Sequence, residues 1–334
     1  MKLRNVVGVC TLMLIIFGAV SVANAQNYKV SAPHSYKNLT IFLIHGKDES
    51  SGKNVLTLQE AMEMKVLRVY ETSDVNELAV ENISKQFDVF IQSGDIVKGG
   101  KQDRVLSISI IIPARSGRVL ISAFCVESGR WKKRGDEDAG QFSSSTDRLV
   151  TKDLKLAANK SSSQQEVWAK VGEAQQRLSQ NVGAPVAARD SATSLQLSLE
   201  NKKVAATSAE YMRKLAHLIE GKSDVIGYAF AINGKLNSAD IYSSNALFKK
   251  LWMKMLKATT IEAVSEFNGK QAVSSTKAAD VSSFLNDSDK AKGEEKAASG
   301  SARIVTRENK DNILFESRDE RRKEVIHRSY VKKQ

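Results

Sequence analysis

A glycine pair between two lysines stands out in the segment GDIVKGGKQDRVLSISIII, residues 94–112. Glycine lets backbone amides turn toward a ligand where side chains would block the approach, so such a turn can form an anion-binding concavity. Lys101 and Arg104 add positive charge there, and Gln102 adds a neutral donor and acceptor. These residue types favour the binding of a phosphate or carboxylate group.

A second polar group follows in the segment CVESGRW, residues 125–131. Arg130 carries a planar guanidinium suited to carboxylate or phosphate, and Trp131 can stack on a sugar or a base. If strands at 104–113 and 117–126 pair as an antiparallel hairpin, Arg104 and Arg130 approach the same open end. The candidate ligand-binding residues are Lys98, Gly99, Gly100, Lys101, Gln102, Arg104, Glu127, Arg130 and Trp131.

The same residues also allow a structural interpretation. The glycine pair would form a tight turn, while Arg104, Glu127 and Arg130 would form an ion-pair network that holds the turn to its sheet. The residue types favour the two interpretations about equally. A pocket joining these three residues and Lys101 would favour ligand binding, whereas salt bridges closed to solvent would favour an interaction protein.

Established catalytic motifs fit this chain poorly. Gly94 and Gly100-Lys101 are one residue too far apart for a phosphate-binding loop, no Ser or Thr follows, and a strand replaces the required helix. Cys125 and Arg130 are one residue too close for a phosphatase loop, and no helix follows to lower the thiol pKa. We expect neither a metal nor a cofactor and leave catalytic residues unassigned. The histidines are scattered, without a second ligand at zinc-like spacing: His34, His45, His217 and His327.

The N-terminus has the three parts of a secretory signal peptide. Lys2 and Arg4 form the positive region, residues 6–20 form the apolar core, and the Ala-Asn-Ala motif at 23–25 predicts cleavage after Ala25. The apolar run is about 15 residues long, shorter than the roughly 20 that span a bilayer. We expect a soluble mature protein without a transmembrane segment, located in the periplasm or outside the cell.

The charge balance is basic. The chain has a formal net charge of +12 at pH 7, and loss of Lys2 and Arg4 with the signal peptide leaves 12 − 2 = +10. Such a surface attracts anionic small molecules or acidic glycans, although it equally serves solubility. Because an exported protein does not meet nucleic acid, we expect none as a partner. Cys125 is the only cysteine of the mature chain, so a packed core rather than an internal disulfide must stabilise it.

Hydrophobic patterning predicts an α+β fold with antiparallel hairpins. Capping boxes, in which two side chains satisfy the first backbone amides of a helix, occur at Thr57–Glu60, Ser163–Glu166 and Thr207–Glu210. The dipeptide Asn233-Gly234 predicts a tight hairpin turn between strands at 224–232 and 236–242. Further strands are expected at about 36–46, 66–71, 77–82, 87–92, 104–113 and 117–126.

We interpret the mature chain as one domain preceded by a short lead. Residues 268–301 are rich in Ser, Ala, Lys, Asp and Glu with few large apolar groups, a composition typical of a flexible segment. The predicted divisions are a lead at 26–34, a β-rich part at 35–131, a helical part at 161–221, a mixed part at 222–267, a flexible insertion at 268–301 and a C-terminal hairpin at 312–331.

Five segments together resemble the ARG and rhodanese-phosphatase-superfamily-associated domain. They are IFLIHG near residue 41, TLQEAMEMKVLRVYE from 57, KGGKQDR from 98, CVESGRW from 125 and GYAFAINGKLNSADIYSSNALFKKLW from 227. The resemblance spans about residues 35–331. This family is functionally uncharacterised, and its name records genomic association with ADP-ribosylglycohydrolase, rhodanese and phosphatase domains. The resemblance therefore implies a role linked to phosphate or ADP-ribose metabolism.

These observations predict an exported, non-enzymatic binding or accessory module for an anionic small molecule or glycan. Two alternatives stay open. A hydrolase could use the same polar cluster on a phosphoester or ADP-ribosyl bond, and an envelope structural or interaction protein would suit the segment at 268–301. Carboxylates that converge with strongly shifted pKa values would favour the hydrolase. The ligand and the oligomeric state are left open.

Overall fold

A computed structural model of the protein describes residues 28–49, 55–72, 74–130, 140–161, 163–269 and 275–333. The predicted signal peptide with its cleavage site at Ala25, and Trp131, lie outside these residues. Within them, none of the helices has the length and apolar character needed to cross a membrane.

Strands occupy both ends of the described chain. They are β1 (Lys29–Val30), β2 (His34–Tyr36), β3 (Leu39–His45), β4 (Val55–Thr57), β5 (Leu67–Glu71), β6 (Glu77–Asn82), β7 (Asp88–Ile91), β8 (Asp95–Gly99), β9 (Arg104–Leu106), β10 (Ile110–Ile112), β11 (Arg118–Cys125), β12 (Phe142–Arg148), β13 (Val225–Ile232), β14 (Lys235–Tyr242), β15 (Lys292–Ala297), β16 (Ala302–Glu308), β17 (Asn312–Asp319) and β18 (Glu324–Lys332).

Helices fill the middle of the chain. They are α1 (Leu58–Glu63), α2 (Lys152–Leu156), which continues as a π-helical turn (Ala157–Ser161), α3 (Gln164–Val182), α4 (Leu195–Leu199), α5 (Lys202–Leu215), which continues as a 3₁₀ turn (Ala216–Ile219), α6 (Asn245–Ser265) and α7 (Ala278–Asp289). The predicted α+β class, with a β-rich first half, a helical middle and strands that return near the C-terminus, is confirmed.

The described strands form three sheets. The largest has nine strands in the order β1-β3-β13-β14-β18-β17-β16-β15, with β2 paired to β3. A six-stranded sheet has the order β12-β8-β9-β11-β6-β5, and a three-stranded sheet has the order β10-β7-β4. In the last sheet β4 and β7 run parallel. The main core lies between the nine-stranded sheet, the helices α3, α5 and α6, and the smaller sheets.

Two of the predicted helix caps and the predicted hairpin turn occur in the structure. Thr57 and Glu60 form both halves of the capping box of α1, and the Ser163 side chain accepts from the Glu166 amide to start α3. Asn233 and Gly234 both have positive φ, which lets β13 turn directly into β14. The expected positions of these elements are therefore confirmed.

Two boundaries differ from expectation. The third capping box is wrong, because α5 begins after Asn201, whose side chain accepts from the Lys203 amide. Thr207 lies inside that helix, where its hydroxyl donates to the Lys203 carbonyl rather than capping. The lead predicted at 26–34 already contains β1, which pairs with β3 and so extends the large sheet.

The expectation of a flexible insertion at 268–301 is corrected for its described residues. Residues 278–289 form α7, whose side chains Val281, Phe284 and Leu285 are buried. This three-residue stripe at helical spacing packs on the face of the large sheet opposite α6, against residues such as Phe42 and Tyr330. The polar composition of the whole segment conceals the stripe, which suffices to dock one helix.

The strand predicted at 104–113 is broken in two. β9 pairs with β11 as expected, with Arg104 opposite Cys125, but β10 leaves this sheet and pairs with β7 instead. The interruption lies at residues 107–109, where the Ser107 amide and hydroxyl both donate to the Ser122 carbonyl. This break places Ser109 at the junction of two sheets, facing the large sheet.

Candidate functional site

The glycine pair forms the turn between β8 and β9, and both glycines have positive φ, 108° for Gly99 and 58° for Gly100. The amides of this turn already bind carboxylates of the protein itself. The Gly99 amide donates to Asp103 Oδ1 at 3.1 Å, and the Lys101 amide donates to Glu71 Oε1 at 3.0 Å. The anion-binding concavity therefore contains the chain's own acidic side chains.

The arginines and carboxylates beside this turn form a buried network. Arg104 Nη2 lies 3.2 Å from Glu71 Oε2, and Arg130 Nε lies 2.7 Å from Glu127 Oε2 and its Nη2 3.7 Å from Asp103 Oδ1. Arg104 is 1% exposed, Glu127 0% and Arg130 8%. This is the ion-pair network that would hold the turn to its sheet, and we call it the clamp. Salt bridges closed to solvent are the arrangement expected for an interaction protein, and ligand binding by this turn stays a prediction.

The other predicted residues sit at the edges of this network. Gln102 is buried and donates to the Glu127 carbonyl at 3.2 Å, whereas the exposed Lys98 head group pairs with Glu200. Lys101 is exposed. Cys125 is buried, and burial raises its thiol pKa despite the opposing charge of Arg104, which disfavours a nucleophilic thiolate.

A second polar cluster, assigned no role by the sequence analysis, lies under the nine-stranded sheet. The Ser109 Oγ is 2.9 Å from His327 Nδ1, and His327 Nε2 is 3.0 Å from Asp240 Oδ1. The three residues are 3%, 2% and 1% exposed. We call Ser109, His327 and Asp240 the buried triad.

Three separate elements position the buried triad. Asp240 and His327 lie on the adjacent strands β14 and β18, where Tyr242 is directly opposite His327 and Asp240 is two residues earlier on the same face. The Tyr242 ring stacks on the imidazole at 4.7 Å between centroids, which fixes the ring plane. Ser109 lies in the interruption between β9 and β10.

Charges inside the protein decide the protonation of the triad. Burial opposes ionisation of Asp240, but the positive charge of Lys155 and the hydrogen bond from His327 outweigh it, so the pKa of Asp240 lies well below its usual range. Burial lowers the pKa of His327 although Asp240 opposes the change. At neutral pH an ionised Asp240 therefore faces a neutral imidazole.

This protonation state determines the direction of both hydrogen bonds. An ionised carboxylate can only accept, so His327 Nε2 donates to Asp240 and leaves the Nδ1 lone pair to accept the Ser109 hydroxyl proton. The Ser93 amide donates to the same Ser109 Oγ at 3.0 Å. The Arg148 guanidinium donates to the Ser93 carbonyl at 2.5 Å, which holds the same residue. The serine oxygen is thereby poised to lose its proton to histidine.

A small cavity opens at the serine. Its volume is about 60 Å³, and it adjoins a groove of about 900 Å³ between β11 and the β15–β16 hairpin. Ile108, Asn159, Ile304 and Phe315 border both spaces. The remaining cavity residues are Ser93, Ser107, Ser109, Ser317, His327 and Ser329.

Behind the triad lies a second buried carboxylate. Glu262 Oε1 accepts from the Lys152 amide at 2.8 Å and from Asn237 Nδ2 at 3.1 Å. Burial raises the pKa of Glu262 to about 7, although the charge of Lys155 opposes the rise. Two buried carboxyls with pKa values displaced in opposite directions thus share one lysine, a pattern that clusters at functional sites.

A family model matches residues 27–331, nearly the whole chain: the ARG and Rhodanese-Phosphatase-superfamily-associated Protein domain, ARPP-1. The chain belongs to this family. The resemblance inferred from the five sequence segments is therefore confirmed. No curated protein and no solved structure matches the chain. The roles of residues in this ARPP-1 domain must accordingly be argued from its own geometry.

Sequence reasoning missed the buried triad because its members are far apart in the chain and match no motif spacing. Ser109 lacks the strand-turn-helix context of a nucleophile elbow, and His327 is one of four scattered histidines. Asp240 offered one usable signal, since it directly precedes Ile241 and Tyr242 in a predicted strand, and an acidic residue buried there requires a partner. In the described part of the chain no group of three His, Cys, Asp or Glu side chains forms a metal site.

Removal of Arg104 should test the clamp at the glycine turn. Arg104→Ala deprives Glu71 and the Val75 carbonyl of their partner, so we expect a loss of about 3 kcal/mol in the free energy of unfolding. Lys101→Ala, at an exposed position, should change it by less than about 0.5 kcal/mol. Denaturant unfolding of both variants measures this difference, and equal stabilities would contradict the clamp.

Glu262 should make stability depend on pH. Because folding raises its pKa from 4.5 to about 7, the folded protein binds more protons than the unfolded chain between these values. The contribution is complete below about pH 4.5 and is lost as pH rises through 7. In Glu262→Gln, the fall in unfolding free energy from pH 5 to pH 8 should be smaller than in wild type by about 2.5 kcal/mol.

Denaturant unfolding at both pH values provides the measurement for Glu262. Glu220→Gln removes an exposed carboxylate outside this cluster and controls for the change in net charge. Identical pH dependence in wild type and Glu262→Gln would show that Glu262 does not titrate between pH 5 and 8.

Proposed function

We propose that this ARPP-1 protein is a serine hydrolase that cleaves an acyl bond at the buried triad. The observation that carries the proposal is the continuous hydrogen-bonded series from Ser109 through His327 to Asp240, with distances of 2.9 and 3.0 Å. Ser109 is the nucleophile, His327 the general base and acid, and Asp240 the residue that orients the imidazole. In this arrangement the Ser109 hydroxyl bonds to imidazole Nδ1, and imidazole Nε2 bonds to Asp240.

The reaction follows from these positions. Ser109 Oγ attacks the carbonyl carbon while its proton moves to His327 Nδ1, and the adjacent negative Asp240 stabilises the imidazolium. The hydroxyls of Ser317 and Ser329, which line the same cavity, can donate to the developing oxyanion, whereas the Ser93 amide is already bonded to Ser109 Oγ. His327 then protonates the leaving group, and water cleaves the acyl-serine in the reverse sequence.

The cavity favours an acyl bond over the phosphoester or ADP-ribosyl bond of the sequence-based alternative. Transfer of a phosphoryl group calls for cations that neutralise its oxygens. Of the described residues that line the cavity, His327 is the titratable one, and it is neutral at pH 7. Lys155 lies behind Asp240, 3.9 Å from its Oδ2, and not in the lining.

The predicted non-enzymatic binding module is a second candidate, because the groove is large enough for a ligand. Arg118, Lys160 and Lys296 contribute positive charge to it, balanced by Glu77, Glu294 and Glu308. This mixed lining suits a polar glycan better than a strongly anionic molecule. In a binding module the groove would hold its ligand without turnover.

Export to the periplasm or the cell exterior is part of the proposal and rests on residues 1–25. Cleavage after Ala25 leaves Gln26 as the first residue of the mature chain. Intact-mass measurement of protein recovered from the exported fraction should give the mass of residues 26–334. Recovery of the full-length mass from the cytoplasm alone would contradict export.

A fluorophosphonate probe, which reacts with activated serine hydroxyls, tests the hydrolase. We expect one adduct on Ser109, located by peptide mass spectrometry, and hydrolysis of 4-nitrophenyl acetate. Ser109→Ala should abolish the adduct and lower kcat at least about a thousandfold, because the nucleophile is lost.

Ser107→Ala is the matched control, since Ser107 lines the same cavity but donates to the Ser122 carbonyl. This variant should keep both the adduct and the activity. Absence of labelling and turnover in folded wild-type protein would overturn the hydrolase and favour the binding module, whereas an adduct on another serine would overturn the assignment of Ser109.

A further inference from the structure

The small cavity at Ser109 and the large groove beside it differ about fifteenfold in volume, 60 against 900 Å³. A water molecule needs about 10–15 Å³ on the same measure, so the cavity holds roughly four water-sized groups. The two spaces meet at Ile108, Ile304 and Phe315, whose side chains are half-buried. The two spaces therefore fit a substrate that has one small part and one large part.

The lining of the cavity is more apolar than polar. Ile108, Ile304 and Phe315 form its rim, and Ser317 and Ser329 lie on its walls, whereas the Ser107 hydroxyl donates to the Ser122 carbonyl. An alkyl chain longer than a few carbons exceeds the space of a cavity that holds roughly four water-sized groups. A methyl group beside a carbonyl fits this lining, because the carbonyl oxygen takes the donors and the methyl contacts the rim.

The groove differs from the cavity because charged side chains line it. Its walls are supplied by β11, the β15–β16 hairpin and the end of the π-helical turn, and it is open to solvent. Six charged side chains of both signs line it: Glu77, Arg118, Lys160, Glu294, Lys296 and Glu308. Lys160 and Glu308 pair across one end at 2.5 Å. A polar, hydroxyl-rich molecule matches such a surface, whereas a lipid chain does not.

The order of the reaction assigns the two parts of the substrate. The leaving alcohol takes a proton from His327 and must then depart, and the open side of the site is the groove. The acyl group stays on Ser109 Oγ until water arrives, so it occupies the small cavity at the serine. The small part is therefore the acyl group and the large part is the alcohol.

We infer that the substrate is a short-chain acyl ester, of acetyl size, of a large polar alcohol such as a glycan; this inference rests on the hydrolase function proposed above. In the first step the Ser109 Oγ–carbonyl bond forms, the ester C–O bond breaks, and the Ser109 proton reaches the departing alcohol through His327. In the second step water supplies OH to the acyl carbon and H to Ser109. Acetate and the free alcohol are the products, with no change in oxidation state.

The chain-length preference of wild-type protein provides the test. The 4-nitrophenyl esters of acetate, butyrate and octanoate share one leaving group, so their kcat/KM ratios report on the cavity alone. We expect acetate to exceed octanoate by at least about a hundredfold, since excluded methylene groups discriminate at about this level. Release of acetate from an O-acetylated polysaccharide, but not from an acetylated lysine peptide, is the expected result with a large substrate.

Two variants locate the preference in the structure. Phe315→Ala removes the largest side chain at the rim and should reduce the ratio of acetate to octanoate at least about tenfold. Leu120→Ala changes an exposed residue of the groove that does not line the cavity, and should leave the ratio unchanged.

The outcomes separate this inference from the hydrolase itself. Equal rates for acetate and octanoate, with labelling of Ser109 intact, would overturn the short-chain inference and leave the hydrolase standing. Rapid cleavage of long-chain methyl esters would show that the cavity holds the alcohol instead, and would also overturn it. Loss of all labelling and turnover would remove the hydrolase and this inference together.

Discussion

The charge of Asp240 is the constraint on which the interior of this protein depends. An isolated carboxylate that moves from water into a protein interior loses on the order of several kcal/mol of solvation. Here one oxygen accepts a hydrogen bond from His327, and the other lies 3.9 Å from Lys155. These two partners come from β18 and α2, so strand pairing and helix docking must both be complete before the charge is compensated.

The compensated charge of Asp240 also determines how the buried triad can react. Because Asp240 stays ionised, it fixes the tautomer of His327, and the tautomer in turn directs a lone pair at Ser109. The stacked Tyr242 ring leaves the imidazole little freedom to rotate. Burial of the Asp240 charge is unfavourable by itself, but in the folded protein this charge orients the imidazole of His327. Asp240 and Glu262 both interact with Lys155. The pKa of Asp240 is nevertheless lowered, whereas burial raises the pKa of Glu262.

The two polar clusters of this protein differ in one physical respect. At the glycine turn, the amides of Gly99 and Lys101 donate to Asp103 and Glu71, so these two donors are already bonded within the protein. At the buried triad, hydrogen bonds align the side chains but a cavity remains in front of Ser109. Donors that are bonded within the chain stabilise a fold, whereas an aligned serine beside a cavity has room for another molecule.

Local signals in the sequence determined much of the fold. The capping box at Thr57, the Asn233-Gly234 turn and the apolar runs act over a few residues, so α1, the β13–β14 hairpin and the α+β class follow from the sequence, as does the family. Composition averaged over a long segment concealed the short stripe of α7. Only the tertiary structure decided that the strand from Arg104 breaks at Ser107, and that this break brings Ser109 to His327 and Asp240. Contacts between residues so distant in the chain depend on which strands pair, and no local pattern encodes that choice.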